Sequence, residues 1–259
     1  MQDTIVLNKK SDKMEDKDIV LITGGAGNIA QAVIKKYIEN DCIVIATDIK
    51  EENPNKQLMN YPNYFYYKCD VTDLKDIEEL KKVIEEKYNR ITHLISMAGD
   101  SIGTDIKGIE HVTIGDIDKT IKLNLSSHIY ITTILLPLLK NEKKDKTITY
   151  TSSINALRAY DCPVYSAAKA SLYGLMRGIL QDLGKLNIRV NIISPGTVLR
   201  PFEIDEAKRT NGESLKGRPS TRYKDFALNT DIADALFCIT HIMKKMVGQD
   251  IVIDAGQMA

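Results

Sequence analysis

Beginning at Ile19, short runs of β-branched apolar residues alternate with longer segments whose apolar positions recur every three to four residues. That alternation is the pattern of βαβ units, in which parallel strands buried on both faces read as continuous apolar runs. It predicts strands at Ile19 to Thr23, Ile43 to Thr47, Tyr64 to Lys68, His93 to Ser96, Thr147 to Thr151, Arg189 to Ile193 and Ile251 to Ile253. Between them Ile77, Leu80 and Ile84 keep helical spacing, as do Leu172, Leu175, Met176, Ile179, Leu183 and Leu186. The fold class that follows is α/β: a doubly wound parallel sheet of seven strands with helices on both faces. Right-handed crossovers then gather the loops that follow the strands along one edge, where such sheets bind ligands.

The chain has 259 residues and no Pro/Gly/Ser-rich linker, which predicts one domain over 18–259. Residues 1–17 are polar and of mixed charge apart from Ile5, Val6 and Leu7, and read as a disordered extension. The stretch Pro195 to Asp225, rich in Gly, Pro and charge, reads as a mobile loop with a short helix over the ligand edge. Basic and acidic residues number 35 each, so nothing draws the chain electrostatically to nucleic acid or an anionic membrane. Apolar runs are far shorter than the ~20 residues that span a bilayer, and a cytoplasmic location is expected. Cys42, Cys69, Cys162 and Cys238 are widely separated without CxxC or Cys/His ligand spacing, and read as reduced thiols with no metal.

The first strand runs into Thr23-Gly24-Gly25-Ala26-Gly27-Asn28-Ile29-Ala30 and then helical sequence. Small residues let backbone approach a pyrophosphate, and the free N–H groups and dipole of a helix start hold its negative charge. Asp48 ends the second strand at about the spacing of a carboxylate that accepts hydrogen bonds from adenosine ribose hydroxyls. Asp70, followed by Val71 and Thr72, ends the third; it is placed to reach an adenine amine, or else Asp70 or Thr72 caps the next helix. Ser152 and Ser153 close the fifth strand, and Tyr165-Ser166-Ala167-Ala168-Lys169 follows. Tyr165 and Lys169, at i and i+4, share one helix face, where a cation lowers the phenol pKa from ~10 toward neutrality and creates an acid–base group. Taken alone such a pair is usually packing, and it gains weight from the dinucleotide-type half that precedes it.

In these motifs, taken in order, the region from about Ile19 to Ala259 resembles the short-chain dehydrogenase/reductase family of compact, single-domain Rossmann enzymes. The resemblance implies hydride transfer between NAD and a small alcohol or carbonyl substrate, with Tyr165 as acid/base. It further implies that Lys169 binds the nicotinamide ribose, that a serine positions the substrate oxygen, and that Asn124 holds a water in a proton relay. Ser194-Pro195-Gly196 matches the family's nicotinamide-side turn, with Val198 beyond it, and Ala98-Gly99 matches its close approach after the fourth strand. A homotetramer packed through Leu125 to Leu139 and Tyr165 to Leu186 is implied as well.

The chain departs from the family pattern at several positions. Asn28 and Ala30 replace glycines; Asn tolerates positive φ, and Ala suits a helix–strand contact. Ser96-Met97 stands for Asn-Asn, and Arg200 for a threonine near the carboxamide. The strand motif selects Ser153 as the serine, whereas the family's usual spacing to the tyrosine selects Ser152; Ser153 is favoured. Arg158, Arg200, Lys216, Arg218 and Arg222 border the expected pocket and raise the idea of an anionic substrate, against interleaved Glu203, Asp205, Glu206 and Glu213. The functional alternative of a different class is a non-catalytic dinucleotide-binding regulator on the same fold. Too little chain follows Lys169 for the sugar domain of the extended epimerases.

Overall fold

The computed structural model describes residues 16–158, 161–210, 213–215, 221–223 and 225–259. Strands β1 (Ile19–Thr23), β2 (Ile43–Asp48), β3 (Tyr64–Lys68), β4 (His93–Ser96), β5 (Lys146–Thr151) and β6 (Ile188–Pro195) fall where the apolar runs place them. A two-residue pair, β7 (Val198–Leu199) and β8 (Ala227–Leu228), precedes β9 (Asp250–Ile253). The main sheet is parallel throughout, in the order β3-β2-β1-β4-β5-β6-β9. The order reverses between β1 and β4, and at such a switch point the loops diverge to leave a crevice.

Alternate residues of each strand face opposite layers. Ile19 and Leu21 pack with Ile77, Leu80 and Ile84 of helix α2 (Leu74–Lys87), with α4 (Ser127–Asn141) through Ile131 and Leu135, and with α5 (Pro163–Lys185) through Leu172 and Met176. On the other face Val20 and Ile22 meet Val33, Ile34 and Tyr37 of α1 (Asn28–Glu39), together with Ile232 and Leu236 of α7 (Asn229–Phe237). Helix α2 is capped by Asp73, whose side chain accepts from the Lys75 N–H at 2.8 Å, and not by Asp70 or Thr72.

Helix α3 (Ile114–Ile121) passes through a π turn at Lys122–Ser126 before α4 begins. Asn124 lies within that turn, which is one residue wider than an α-helical turn. The described residues of the stretch expected to be a mobile loop with a short helix hold that helix and, in addition, a short strand. Within it, β7 pairs with β8, and α6 (Pro201–Arg209) starts on a proline that suits a first helical turn. The extension over 1–17, expected to be disordered, lies mostly outside the described residues, and the Lys17 carbonyl accepts from Arg90 Nη2 at 2.8 Å. Among the described residues no helix is long and apolar enough to cross a membrane.

Candidate active site

A cavity of about 690 Å³ opens at the carboxyl ends of the strands, within the range of small-molecule sites. Gly24, Gly27, Asn28, Ile29 and Asp48 line one part; Val71, Ala98 and Gly99 line the middle; Ser153, Tyr165, Lys169, Pro195, Gly196 and Val198 line the other end. Asp70 and Asn124 are the two sequence-predicted site residues outside this lining. Asp70 turns its Oδ1 to the Thr72 N–H at 2.8 Å.

Gly24 takes φ +69°, and a Cβ there would come within 3.0 Å of the Ala98 backbone, so the turn needs glycine at this position. Asn28 is not required to take positive φ: it opens α1 in ordinary helical backbone. Ala30 packs against the strands at 2% exposure, as its small side chain allows. Asp48 Oδ2 accepts from the Ala26 N–H at 3.0 Å and Oδ1 from the Lys50 N–H at 3.2 Å. A carboxylate has about four acceptor positions, so Asp48 ties the glycine turn to β2 and retains capacity for a ligand's hydroxyls.

At the far end, Ser152 and Ser153 are separated by their orientations. Ser152 Oγ donates to the Lys169 carbonyl at 3.1 Å and is buried in the helix contact. Ser153 accepts from the Asn155 N–H at 3.2 Å and lines the cavity with Tyr165, whose phenol pKa it lowers. Lys169, 2% exposed, donates from Nζ to the Thr151 carbonyl at 2.9 Å and lies 5.7 Å from the centre of the Tyr165 ring.

The expected lowering of the Tyr165 pKa is not present in this geometry. Burial pushes Tyr165 up to about 12, against the Ser153 hydrogen bond that lowers it. Burial also pushes Lys169 down to about 7, with Asp100 opposing. Desolvation therefore sets the direction of both shifts.

Asn124 is fully buried. Its Nδ2 donates to the Asp100 carbonyl at 2.7 Å and the Thr120 carbonyl at 3.0 Å, and its Oδ1 accepts from the Asp100 N–H at 3.1 Å. A Cβ on Gly99 would lie 2.6 Å from Lys169 Nζ and 2.7 Å from Asn124 Oδ1, so the two side chains flank Gly99. Asn124 thus fixes the loop after β4 beside the lysine.

Sequence reasoning missed Asp105. Its fully buried carboxylate accepts from the N–H groups of Val164 at 3.0 Å and Tyr165 at 2.8 Å, capping α5 from a distant loop. Pro163 begins the helix, and Cys162 before it takes φ +67°. The i to i+3 spacing of an ordinary cap would not reveal a partner about sixty residues away. The basic residues near the pocket are largely occupied. Arg200 pairs with Glu203 at 3.0 Å, Arg158 donates to the Gln257 carbonyl at 3.0 Å, and Arg222 to the Ala259 carbonyl at 3.1 Å. Lys216 and Arg218 lie outside the described residues.

A family model described as short chain dehydrogenase matches residues 18–210. The chain is 25% identical to a 7alpha-hydroxysteroid dehydrogenase of Bacteroides fragilis, covering 95% of each. It is 26% identical to a 3-oxoacyl-[acyl-carrier-protein] reductase of Thermotoga maritima, covering 94% of this chain and 98% of the relative. Among solved structures, the aldohexose dehydrogenase of Thermoplasma acidophilum superposes with a TM-score of 0.79 at 20% identity, over 94% of this chain and 95% of that one. The chain belongs to the short-chain dehydrogenase family. It is an oxidoreductase of alcohols and carbonyls that uses a nicotinamide dinucleotide, which disposes of the non-catalytic alternative.

Proposed function

We propose that the enzyme prefers NAD(H) and works on a secondary alcohol or ketone through Tyr165, with Ser153, Lys169 and Asn124 around it. One observation carries this: Tyr165 and Ser153 line the same cavity end, where buried Lys169 lies 5.7 Å from the centre of the Tyr165 ring. The cradle fits a dinucleotide, since Gly24, Gly27 and the start of α1 offer close backbone approach and free N–H groups for a pyrophosphate. Bound nicotinamide supplies the hydride donor or acceptor and, when oxidised, a positive ring charge.

Ser153 Oγ and Tyr165 Oη together grip the substrate oxygen. At neutral pH the phenol of Tyr165 is protonated, so its Oη donates a proton to a carbonyl oxygen as that oxygen gains charge. In the other direction Tyr165 accepts the alcohol proton, which requires cations beside the ring to favour the phenolate. Lys169, 5.7 Å from the ring centre, is such a group, and Asn124, flanking Gly99 with it, keeps that corner in place. The reacting groups named in the relatives, hydroxysteroid and 3-oxoacyl, are of the same hydroxyl and oxo kind.

The preference for NAD(H) rests on Asp48, a carboxylate at the ribose end of the cradle that repels a 2′-phosphate. Its neighbour Ile49 is 63% exposed and brings no positive charge. Lys50 offsets the repulsion only in part. The test compares kcat/KM for the two cofactors in the parent and in Asp48→Ala. The parent should favour NAD(H) and the variant should narrow the gap; an NADP(H)-preferring parent would refute the assignment. A cytoplasmic homotetramer completes the proposal.

A further inference from the structure

At the end of the sheet opposite the cavity, three side chains from distant parts of the chain converge. Asp18 precedes β1, His93 opens β4, and His241 lies in the π turn Cys238–Ile242 that follows α7. Asp18 Oδ2 is 3.3 Å from His241 Nε2 and 3.7 Å from His93 Nε2, and one ligand atom of each residue lies within 4.8 Å of the others.

Each imidazole is held by its other nitrogen. His93 Nδ1 meets Thr147 Oγ1 at 2.9 Å, and His241 Nδ1 meets Thr240 Oγ1 at 2.7 Å. Thr240 is itself held by the buried Tyr37 hydroxyl at 2.7 Å, and the His241 ring stacks on Phe237 at 4.4 Å. Metal-ligating histidines are oriented in this way, one nitrogen toward the ion and the other on an outer partner.

His93 is fully buried, yet its Nε2 has no hydrogen-bond partner among the described residues. The 3.7 Å to Asp18 is too long for one. A buried ring nitrogen and a carboxylate oxygen facing each other without a hydrogen bond are the arrangement a cation between them explains. Lys144 Nζ lies 3.6 Å from Asp18 Oδ1, the other oxygen.

The Asp18–His241 separation of 3.3 Å falls within the range for ligands of one ion, and the Asp18–His93 separation of 3.7 Å lies just beyond it. Zinc bonds of ~2.0–2.2 Å at the tetrahedral angle separate N and O ligands by about 3.3–3.6 Å, and a sulfur from a nitrogen by about 3.6 Å. The Cys42 sulfur lies 3.6 Å from His241 Nε2.

We propose that Asp18, His93 and His241 form a site for one zinc ion, with the fourth position open toward Cys42. The ion would pin the entry to β1, the start of β4 and the end of the C-terminal helix to one another. His241 and Asp18 are partly exposed, which leaves a path for entry.

The full chain, without a polyhistidine tag, is stripped of metal and dialysed against Zn²⁺ alone, and bound zinc is counted by elemental analysis. Co²⁺ then serves as the spectroscopic substitute. The expected results are one zinc per chain, a visible Co²⁺ spectrum of the four-coordinate type, and a Tm raised by either ion. Asp18→Asn and His241→Gln should each weaken zinc binding by at least about tenfold, the loss that even outer-partner changes produce, and should abolish the Tm rise. His111→Gln, at an exposed histidine elsewhere on the surface, should change neither. If a ligand variant fails to fold by circular dichroism, the parent's stoichiometry and Co²⁺ spectrum decide. Substoichiometric zinc in the parent, or equal binding by the parent and folded ligand variants, would overturn the site.

Discussion

Replacing Lys169 by methionine separates the cost of burying a cation from the activity it serves. Burial lowers the Lys169 pKa from 10.5 to about 7. At about 1.4 kcal/mol per pH unit, that withholds about 5 kcal/mol of stability below pH 7, where both folded and unfolded chains carry the charge. Methionine fills a similar volume without the charge but leaves the Thr151 carbonyl without its donor at 2.9 Å, a loss of about 1–3 kcal/mol. Lys169→Met should therefore be about 2–4 kcal/mol more stable than the parent below pH 7. Between pH 7 and 10.5 the unfolded parent binds more protons at this position than the folded one, so parental stability climbs with pH and the advantage shrinks. Above 10.5 the sign should reverse, leaving the variant about 1–3 kcal/mol less stable. Urea midpoints at fixed ionic strength from pH 6 to 11 measure this, and taking the difference between the two proteins cancels other titrating groups. Turnover should be lost at every pH. Parallel stability profiles would show that Lys169 is not desolvated as the geometry implies.

Asp105→Asn keeps the shape of the buried cap but weakens its hydrogen bonds to the start of α5; a loss of about 1–3 kcal/mol is expected by urea unfolding, with a fall in kcat as Tyr165 loosens, and an unchanged kcat would separate the cap from the site. Light scattering at micromolar concentration should report four chains per particle, whereas a stable single chain would contradict the proposed tetramer.

Much of the fold was legible because strands buried on both sides are largely apolar, and the runs at Ile19 and Ile43 are of that kind, while β6 keeps Val190, Ile192 and Ile193 around buried Arg189 and Asn191. The cavity was legible where short-range constraints act: the glycine turn, Asp48 at a strand end, and the i to i+4 pair on α5. Features set by long-range packing were not. Asp105 caps a helix across the fold, and the orientations of Ser152 and Ser153 depend on where α5 lies against β5. The Tyr165 pKa was misjudged for the same reason, since sequence shows a neighbouring lysine but not how much water both groups lose. In the segment after β6 the expected short helix is found, beginning on Pro201, whereas the β7–β8 pair, set by contact with residues about thirty positions away, left no local signal.

The most direct measurement is NADH absorbance across a panel of secondary alcohols and ketones, read in parallel for the parent and Tyr165→Phe. The parent should form or consume NADH one-to-one with at least one substrate. The variant should bind NAD nearly as well while turnover falls by about 10²–10⁴-fold, the contribution of a positioned acid–base group. A Tyr165→Phe enzyme that turns over its best substrate at nearly the parental rate would contradict the assignment of Tyr165.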